Sequence, residues 1–369
     1  MINVPLLKKI CETPGAPGFE QPIRDLVVRE ATPLVDELSI DNMGNVIALK
    51  KGKTRKKVMI AAHMDEIAFI VTHIDDDGFL RFHPLGGFDA KTLTSQRVII
   101  HGKRDVIGVM GSKPVHLMRP EERSKAVPIT DYFIDTGLSK KEAEQLIAVG
   151  DPVTRERELI EMGDCVNSKS LDNRVSVFIL LETLRELQGQ EPPCDIYAVF
   201  TVQEEVGLRG AISSAHLIDP DFGFGLDVTI AFDVPGAYAH EMVTRLGKGA
   251  AIKIMDASVI SDYRMVNYLK TLADRHSIPW QPEILPAGGT DTAGVQRQGK
   301  KGAISGAISI PLRHIHQTIE LAHKGDILHC IHLLKVALLN LDQYDWGFGR
   351  TRYEPPQQHD NKPTEDLYD

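Results

Sequence analysis

The sequence has few cysteines, no long apolar run and no signal-peptide pattern. Its 369 residues include four cysteines, Cys11, Cys165, Cys194 and Cys330, and no two of them lie within a few positions of each other. This spacing supports neither a disulfide framework nor a zinc knuckle, so the thiols indicate a reducing compartment. No apolar stretch approaches the roughly 18 residues that cross a bilayer, and residues 1–30 do not resemble a signal peptide. We therefore expect a cytoplasmic protein without a membrane partner.

An excess of positive charge is also absent, because 42 lysines and arginines stand against 51 aspartates and glutamates, giving a formal net charge of −9. A protein that binds nucleic acid needs a basic face, so this balance disfavours nucleic acid as the main partner. One basic run, residues 50–57, lies between two strand-like segments, and we interpret it as a solvated hairpin tip. Nucleic-acid binding stays the most remote alternative, and a salt-dependent gel shift would test it.

The periodicity of apolar residues changes twice along the chain. Residues 1–68 and 159–350 alternate helix-like and strand-like segments, whereas residues 69–158 contain short β-branched runs separated by glycine, proline and aspartate. We predict that the two outer parts form one layered α/β domain and that residues 69–158 form an inserted β-rich domain. The polar tail, residues 351–369, is expected to fray.

Individual segments have recognisable patterns. Gln21–Leu38 carries apolar residues at three- and four-residue spacing and is predicted as one helix. The apolar run Val58–Ala62 ends in His63 and is typical of a buried strand with functional groups at its C-terminal edge. Further helices are predicted over Val4–Glu12, Ser170–Leu187, Gly207–Leu217, Asp262–His276, Thr290–Gln298 and Gly325–Leu341, and further strands over Asp195–Thr201, Gly223–Phe232 and Ala303–Ile310.

Acidic and histidine side chains stand at five predicted strand ends or strand-to-helix turns. The five stretches are Ala62–Glu66, Leu171–Arg174, Gln203–Gly207, Gly225–Asp227 and Arg313–His316. Residues two apart in an extended chain point to the same side, so Asp65 can accept a hydrogen bond from the ring of His63. Such a carboxylate fixes the tautomer of a histidine and makes it a more basic metal ligand. The adjacent Glu204 and Glu205 project differently, so one can bind a metal while the other faces the substrate water.

Each stretch alone has a simpler interpretation. A histidine after a strand is usually structural, an aspartate such as Asp172 at a helix start is usually an N-cap, and paired glutamates usually form a solvated face. Together the stretches supply two histidines and three carboxylates, which zinc, cobalt and manganese all accept as ligands. A site with one bridging aspartate and two terminal ligands per metal would use all five.

In chain order these stretches resemble the tetrahedral aminopeptidases, also called glutamyl or deblocking aminopeptidases, a family of di-zinc metallopeptidases. The matching stretches are Ala62–Glu66, Leu171–Arg174, Glu204–Gly210, Gly288–Asp291 and Ile310–His316. They extend over nearly the whole chain, and residues 69–158 fall where that family has its dimerisation domain. The resemblance implies a three-layer α/β/α catalytic domain of the zinc-peptidase type with an inserted β-rich dimerisation domain.

The resemblance also implies two divalent metal ions, zinc or cobalt in the first place and manganese as a further option. Asp172 would be the bridging carboxylate. His63 and Asp227 would hold one ion, and Glu205 and His316 would hold the other. Two ions about 3.5–4 Å apart polarise a scissile carbonyl and lower the pKa of a bound water towards 7.

The remaining roles follow from the same resemblance. Glu204 would be the general base and acid that takes a proton from the water and returns it to the leaving amine. Asp65 would support His63. Gly288, Gly289 and Thr290 would line the wall of the active site, although locally they are typical of a glycine turn followed by a helix N-cap.

Two departures from the family pattern concern the segment around the last ligand. His314 stands where an aromatic residue is usual, and Gln317 stands where a small residue is usual. His314 is therefore a rival ligand to His316, although His316 fits the motif spacing better. These differences affect the expected substrate preference more than the expected chemistry.

The functional hypotheses are ranked by these features. The first is a cytoplasmic aminopeptidase acting on short peptides, assembled as a dimer and then as a hollow tetrahedral dodecamer. The second is a related di-metal amidohydrolase, a deacylase or carboxypeptidase, with the same ligands. The third is a non-catalytic binding or scaffold protein, disfavoured because no ligand and no base is missing. A glycosidase would use two carboxylates and no metal, which does not fit five metal-type ligands.

Overall fold

The structure, a computed structural model, describes residues 1–349, so the tail predicted to fray lies outside the described residues. Its helices are α1 (Val4–Glu12), α2 (Gln21–Ala31), α3 (Pro120–Arg123), α4 (Lys140–Leu146), α5 (Leu171–Glu186), α6 (Arg209–Ile218), α7 (Tyr263–Arg275), α8 (Thr292–Arg297) and α9 (Lys324–Leu339). Within this part of the chain, none is long and apolar enough to cross a membrane.

The strands belong to one large sheet and one barrel. Those of the sheet are β1 (Glu37–Ile40), β2 (Val46–Lys50), β3 (Thr54–His63), β10 (Ile160–Met162), β11 (Cys165–Ser168), β12 (Cys194–Thr201), β13 (Phe222–Ile230), β14 (Ala250–Met255), β15 (Trp280–Ile284), β16 (Ile304–Arg313) and β17 (Glu320–His323). Those of the barrel are β4 (Ala68–Ile74), β5 (Leu80–Leu85), β6 (Arg97–His101), β7 (Asp105–Gly111), β8 (Phe133–Asp135) and β9 (Pro152–Arg155).

The order of strands in the sheet is β1-β2-β12-β3-β13-β16-β17-β11-β10, and β14 pairs with both β16 and β15. The central strands β12, β3, β13 and β16 are mutually parallel. Their carboxyl ends therefore meet at one edge of the sheet, where ligands bind in open α/β sheets.

Helices cover both faces of this sheet. On β3, Val58 and Ile60 face the core that includes α1, α5, α7 and α9, whereas Met59 and Ala61 face a second core formed with α6 and α8. Successive side chains of a strand point to opposite faces, so this alternation produces two apolar layers from one continuous run. The predicted three-layer α/β/α architecture is confirmed.

Strands β4–β9 close into a barrel in the order β4-β5-β8-β7-β6-β9, with its own apolar core. The first and last of these strands are antiparallel neighbours, pairing Phe69 with Val153. The chain therefore enters and leaves the barrel at adjacent points.

Two local predictions are wrong. The helix predicted over Gln21–Leu38 ends at Ala31, and a short 3-10 turn, Thr32–Leu34, leads into strand β1. Pro33 lacks the N–H for the next helical bond, and the backbone is extended by Val35 (φ −135°, ψ 162°).

The basic run, residues 50–57, is largely exposed but is not a hairpin tip. Strands β2 and β3 do not pair with each other, because β12 lies between them, antiparallel to β2 and parallel to β3. The connection must pass over the start of β12, and a Cβ atom at Gly52 would lie 2.2 Å from the carbonyl oxygen of Cys194. Only glycine allows this close approach.

Candidate metal centre

The acidic and histidine side chains selected from the sequence meet at the carboxyl edge of the sheet. His63 is the last residue of β3, and Glu204 and Glu205 follow the end of β12. Asp227 lies within β13, Asp172 lies at the start of α5, and His316 lies on the loop between β16 and β17. Parallel register brings the strand ends together, so residues far apart in sequence share one site.

The first group of possible ligands consists of His63, Asp172 and Asp227, whose ligand atoms lie within 4.8 Å of one another. The Nε2 atom of His63 is 3.4 Å from Oδ1 of Asp172 and 3.7 Å from Oδ1 of Asp227. All three side chains are buried. An imidazole and two carboxylates are a donor set that zinc, cobalt and manganese accept.

The second group consists of Asp172, Glu205 and His316. The Nε2 atom of His316 is 3.2 Å from Oδ2 of Asp172 and 3.7 Å from Oε2 of Glu205. Asp172 thus directs one carboxylate oxygen to each histidine. Oε1 of Glu205 is buried and has no hydrogen-bond partner among residues 1–349. An orphaned carboxylate oxygen at this point fits a bound cation.

Asp172 is free for this position because it does not cap a helix. Its backbone angles (φ −77°, ψ 107°) and those of Asn173 (φ −119°, ψ 32°) are non-helical, so regular helix geometry begins only after Asn173. The Asn173 amide nitrogen Nδ2 donates to the carbonyl oxygen of Leu226, 2.8 Å away, which ties this turn to β13.

The rival ligand His314 is exposed and belongs to neither group. His316 and the other four predicted ligands are the side chains that come together. Glu204 lies beside them, with its Oε2 atom 3.7 Å from Nε2 of His63, and forms an alternative group with His63 and Glu205. The structure therefore assembles the complete predicted set.

Asp65 supports the site in a way that only partly matches the expectation. Nδ1 of His63 is 3.1 Å from the main-chain oxygen of Asp65 and 3.4 Å from its carboxylate. The carboxylate accepts the backbone N–H groups of Glu204 and Glu205, each at 3.0 Å. One aspartate thus orients both the histidine and the turn that carries the two glutamates.

The electrostatics of the site reflect buried carboxyl groups crowded together. Burial, reinforced by the charge of Asp172, raises the pKa of Glu205 to about 8. Burial also raises the pKa of Asp227 to about 8 and that of Glu204 well above its usual value. Burial opposes protonation of His316, but its hydrogen bond with Asp172 and the charge of Glu205 raise its pKa to about 9. A cation among these groups would favour their ionised forms.

Glu320 and Asp291 were not predicted as site residues. Glu320 is buried, and its carboxylate accepts the backbone N–H groups of both Asp172, at 2.9 Å, and His316, at 3.0 Å. Asp291 is buried and accepts a hydrogen bond from the hydroxyl of Thr201, the last residue of β12. Asp291 belongs to the matched stretch Gly288–Asp291, which was a usable signal, whereas no local pattern marks Glu320.

A buried ion pair joins the two segments that carry His63 and Asp172. The Nζ atom of Lys169 lies 2.7 Å from Oε2 of Glu66, and the hydroxyl of Ser170 also donates to that oxygen, at 2.5 Å. Burial opposes ionisation of Glu66, but Lys169 and Arg174 outweigh it and lower its pKa. This pair fixes the chain on both sides of the site.

The site opens into a cavity of about 820 Å³ that Gly288, Gly289 and Thr290 also line. Thr290 is not the helix N-cap that its local sequence suggests, since α8 begins at Thr292. Its hydroxyl instead donates to Oδ2 of Asp256, 3.0 Å away. The glycines leave this wall without side chains, so a substrate backbone can approach it closely.

Comparison with known proteins gives consistent matches. The family model described as M42 glutamyl aminopeptidase matches residues 44–333. The lysyl aminopeptidase of Pyrococcus furiosus is 36% identical over 354 residues, covering 94% of this chain and 99% of its own. The structure of an aminopeptidase from the archaeon Desulfurococcus kamchatkensis has a TM-score of 0.87 and 40% identity, covering 91% of this chain and 94% of its own. The structure of the Pyrococcus horikoshii TET1 peptidase has a TM-score of 0.82 and 30% identity, covering 91% of this chain and 99% of its own. That peptidase can assemble into a tetrahedron or a large octahedral shell.

Proposed function

The chain belongs to the M42 glutamyl aminopeptidase family, and on that premise we propose that it uses two divalent metal ions to remove N-terminal residues from peptides. Membership makes it a metallo-aminopeptidase. The observation that carries the two-metal proposal is the position of Asp172, whose two carboxylate oxygens face His63 and His316 separately. A carboxylate shared in this way is suited to bridge two ions.

The proposed ligands divide into two half-sites. His63 and Asp227 would hold one ion, Glu205 and His316 would hold the other, and Asp172 would contact both. The donors fit borderline metals such as zinc or cobalt, and manganese is also compatible. Two such ions, held by these residues, would supply Lewis acidity that polarises the scissile carbonyl and lowers the pKa of water towards neutrality.

Glu204 is the proposed proton carrier. It lies next to the ligands without being needed by either half-site, and burial keeps its pKa high. A carboxylate with a raised pKa can accept a proton from water and return it to the leaving amine. Asp65 holds the backbone of Glu204 in place for this role. Gly288, Gly289 and Thr290 are proposed to bind the substrate along the cavity wall.

Self-association is proposed from the relatives rather than from any contact in the monomer. We propose that residues 1–68 and 159–350 act as the catalytic domain and that residues 69–158 act in dimerisation. The tetrahedral or octahedral shells of the Pyrococcus horikoshii relative support further assembly, of which a dodecamer is the expected form. We also propose a cytoplasmic location.

The test uses one free peptide and its N-acetylated twin, each with added Co²⁺ and with a chelator. Metal-dependent release of single residues from the free peptide alone supports the proposal. Cleavage of the acetylated twin, or release from the C-terminus, would indicate the deacylase or carboxypeptidase alternative. Absence of cleavage of either peptide with two ions bound would leave two alternatives, a different substrate or a non-catalytic role.

Glu204→Gln tests the assignment of the proton carrier. Because glutamine cannot transfer the proton, we expect a fall in kcat of about 10²- to 10⁴-fold. Metal analysis should show both ions retained, and the exposed Glu144→Gln in α4 serves as a matched control with unchanged kcat. Wild-type turnover by Glu204→Gln would exclude it as the general base.

A further inference from the structure

His316 stands apart from the other proposed ligands in how it is held. Its side chain is 35% exposed, whereas the side chains of the other four are 9% exposed or less. It lies on the loop between β16 and β17, and its φ of 63° is in the left-handed region that non-glycine residues rarely adopt. Such a conformation persists only when surrounding contacts enforce it.

The barrel donates or accepts two hydrogen bonds with this loop and also lies beside the His316 ring. Nη1 of Arg155, the last residue of β9, donates to the main-chain oxygen of His316 at 3.0 Å. Oε1 of Gln96, just before β6, accepts the hydroxyl of Thr318 at 3.1 Å. Gly87, just after β5, lies beside the His316 ring, since a Cβ atom there would be in ordinary van der Waals contact with it, 3.5 Å from Nδ1.

The catalytic part supplies the opposing contact. Glu320 accepts the backbone N–H of His316, so the two sides of this residue are held by two different parts of the molecule. Arg155 is only 3% exposed, and its guanidinium lies 5.6 Å from the ring of Phe88, which lines the cavity. Its Nε and Nη2 atoms are buried without hydrogen-bond partners in the described chain. A buried arginine that donates a hydrogen bond to the backbone of a proposed ligand is placed to orient that ligand.

We propose that Arg155 is a positioning residue through which the barrel completes the half-site of Glu205 and His316. The half-site of His63 and Asp227 does not depend on it, because strands β3 and β13 of the sheet carry those ligands. The barrel therefore contributes to metal binding at one of the two positions. This inference rests on the proposed two-metal function.

The test is a titration of metal-free protein with Co²⁺, followed by calorimetry and by the visible absorption of the bound ion. Wild type should bind two equivalents, and failure to do so would overturn the proposed function itself. In Arg155→Met we expect one equivalent to bind as in wild type and the other to bind about 10- to 100-fold more weakly, the range for loss of a group that orients a ligand. Thr318→Val, a milder change in the same loop, should weaken the same equivalent by less.

Arg81→Met is the matched control. Arg81 is also an arginine of the barrel that donates to main-chain oxygens, those of Thr130 and Tyr132, but within the barrel. The Arg81→Met variant should bind both equivalents of Co²⁺ as wild type does. Arg155→Met that binds both equivalents unchanged would overturn the inference. Equal weakening of both equivalents in Arg155→Met and Arg81→Met would also overturn it, because the effect would then come from general loss of the fold.

Discussion

The two half-sites of the proposed metal centre are built differently. His63 and Asp227 lie on parallel strands of a sheet buried on both faces, so strand register fixes their separation. His316 lies on a partly exposed loop and needs contacts from two parts of the molecule. Asp172 belongs to both halves. Ligands set by a sheet are preorganised by the fold, whereas a ligand on a loop is only as well placed as its supporting contacts.

Removing the shared carboxylate should abolish the difference between the halves and have the largest effect. In Asp172→Asn neither half-site keeps a full set of charged ligands, so we expect loss of both ions and of nearly all peptidase activity. Metal content after gel filtration and turnover of the free peptide measure this. Retention of either ion at wild-type affinity would show that Asp172 does not bridge.

Replacing each histidine separately should expose the difference between the halves. We expect His63→Ala and His316→Ala each to lose one ion. His63→Ala, which empties a fully buried position, should lower the stability of the metal-free protein by about 1–3 kcal/mol, and His316→Ala, at a partly exposed position, should lower it by less. Metal analysis and denaturant unfolding distinguish the two outcomes. His314→Ala is the control two residues from His316, and if it lost an ion, the ligand assignment would pass to His314.

The smallest expected effect is the pH dependence of stability in the metal-free protein, to which ligands of both half-sites contribute. The raised pKa values of Asp227 and Glu205, about 8 each, mean that the metal-free fold binds protons that the unfolded chain has released. Stability of the metal-free protein should therefore fall as pH rises through about 8, and the pKa of His316, about 9, acts in the same direction. Metal ions displace these protons, so their stabilising effect should grow with pH. Melting temperatures with and without Co²⁺ would contradict this if the metal-free values rose over the same interval.

The side chains proposed as ligands could be selected from the sequence because they stand in recognisable local patterns, and their division between two ions rests on the family resemblance. A buried apolar run that ends in His63 or precedes Glu204 identifies a strand end, and parallel strands bring such ends together. Glu320 and Arg155 have no such pattern. Glu320 accepts the backbone N–H of Asp172 from 148 residues away, and Arg155 donates to a carbonyl 161 residues away. Contacts with a backbone place no requirement on the sequence of the partner.

The fold could be predicted from the sequence to a similar extent. Long periodic helices such as α7 and α9 were found within a residue or two of their ends. Strand β14 was missed because Lys253 interrupts its apolar run, and only the structure shows that this lysine is buried and paired with Glu283 of β15 at 2.6 Å. The order of β2, β12 and β3 was missed because it depends on a partner strand far along the chain.

The adjacent entry and exit of the barrel have a consequence for how this protein can vary. Because β4 and β9 are antiparallel neighbours, the segment between them can lengthen, shorten or be exchanged without shifting the register of β3. The catalytic scaffold is therefore suited to receive other barrels by grafting. One restriction on the choice lies at His316, since a graft without counterparts of Gln96 and Arg155 would leave that loop held by Glu320 alone among these three residues.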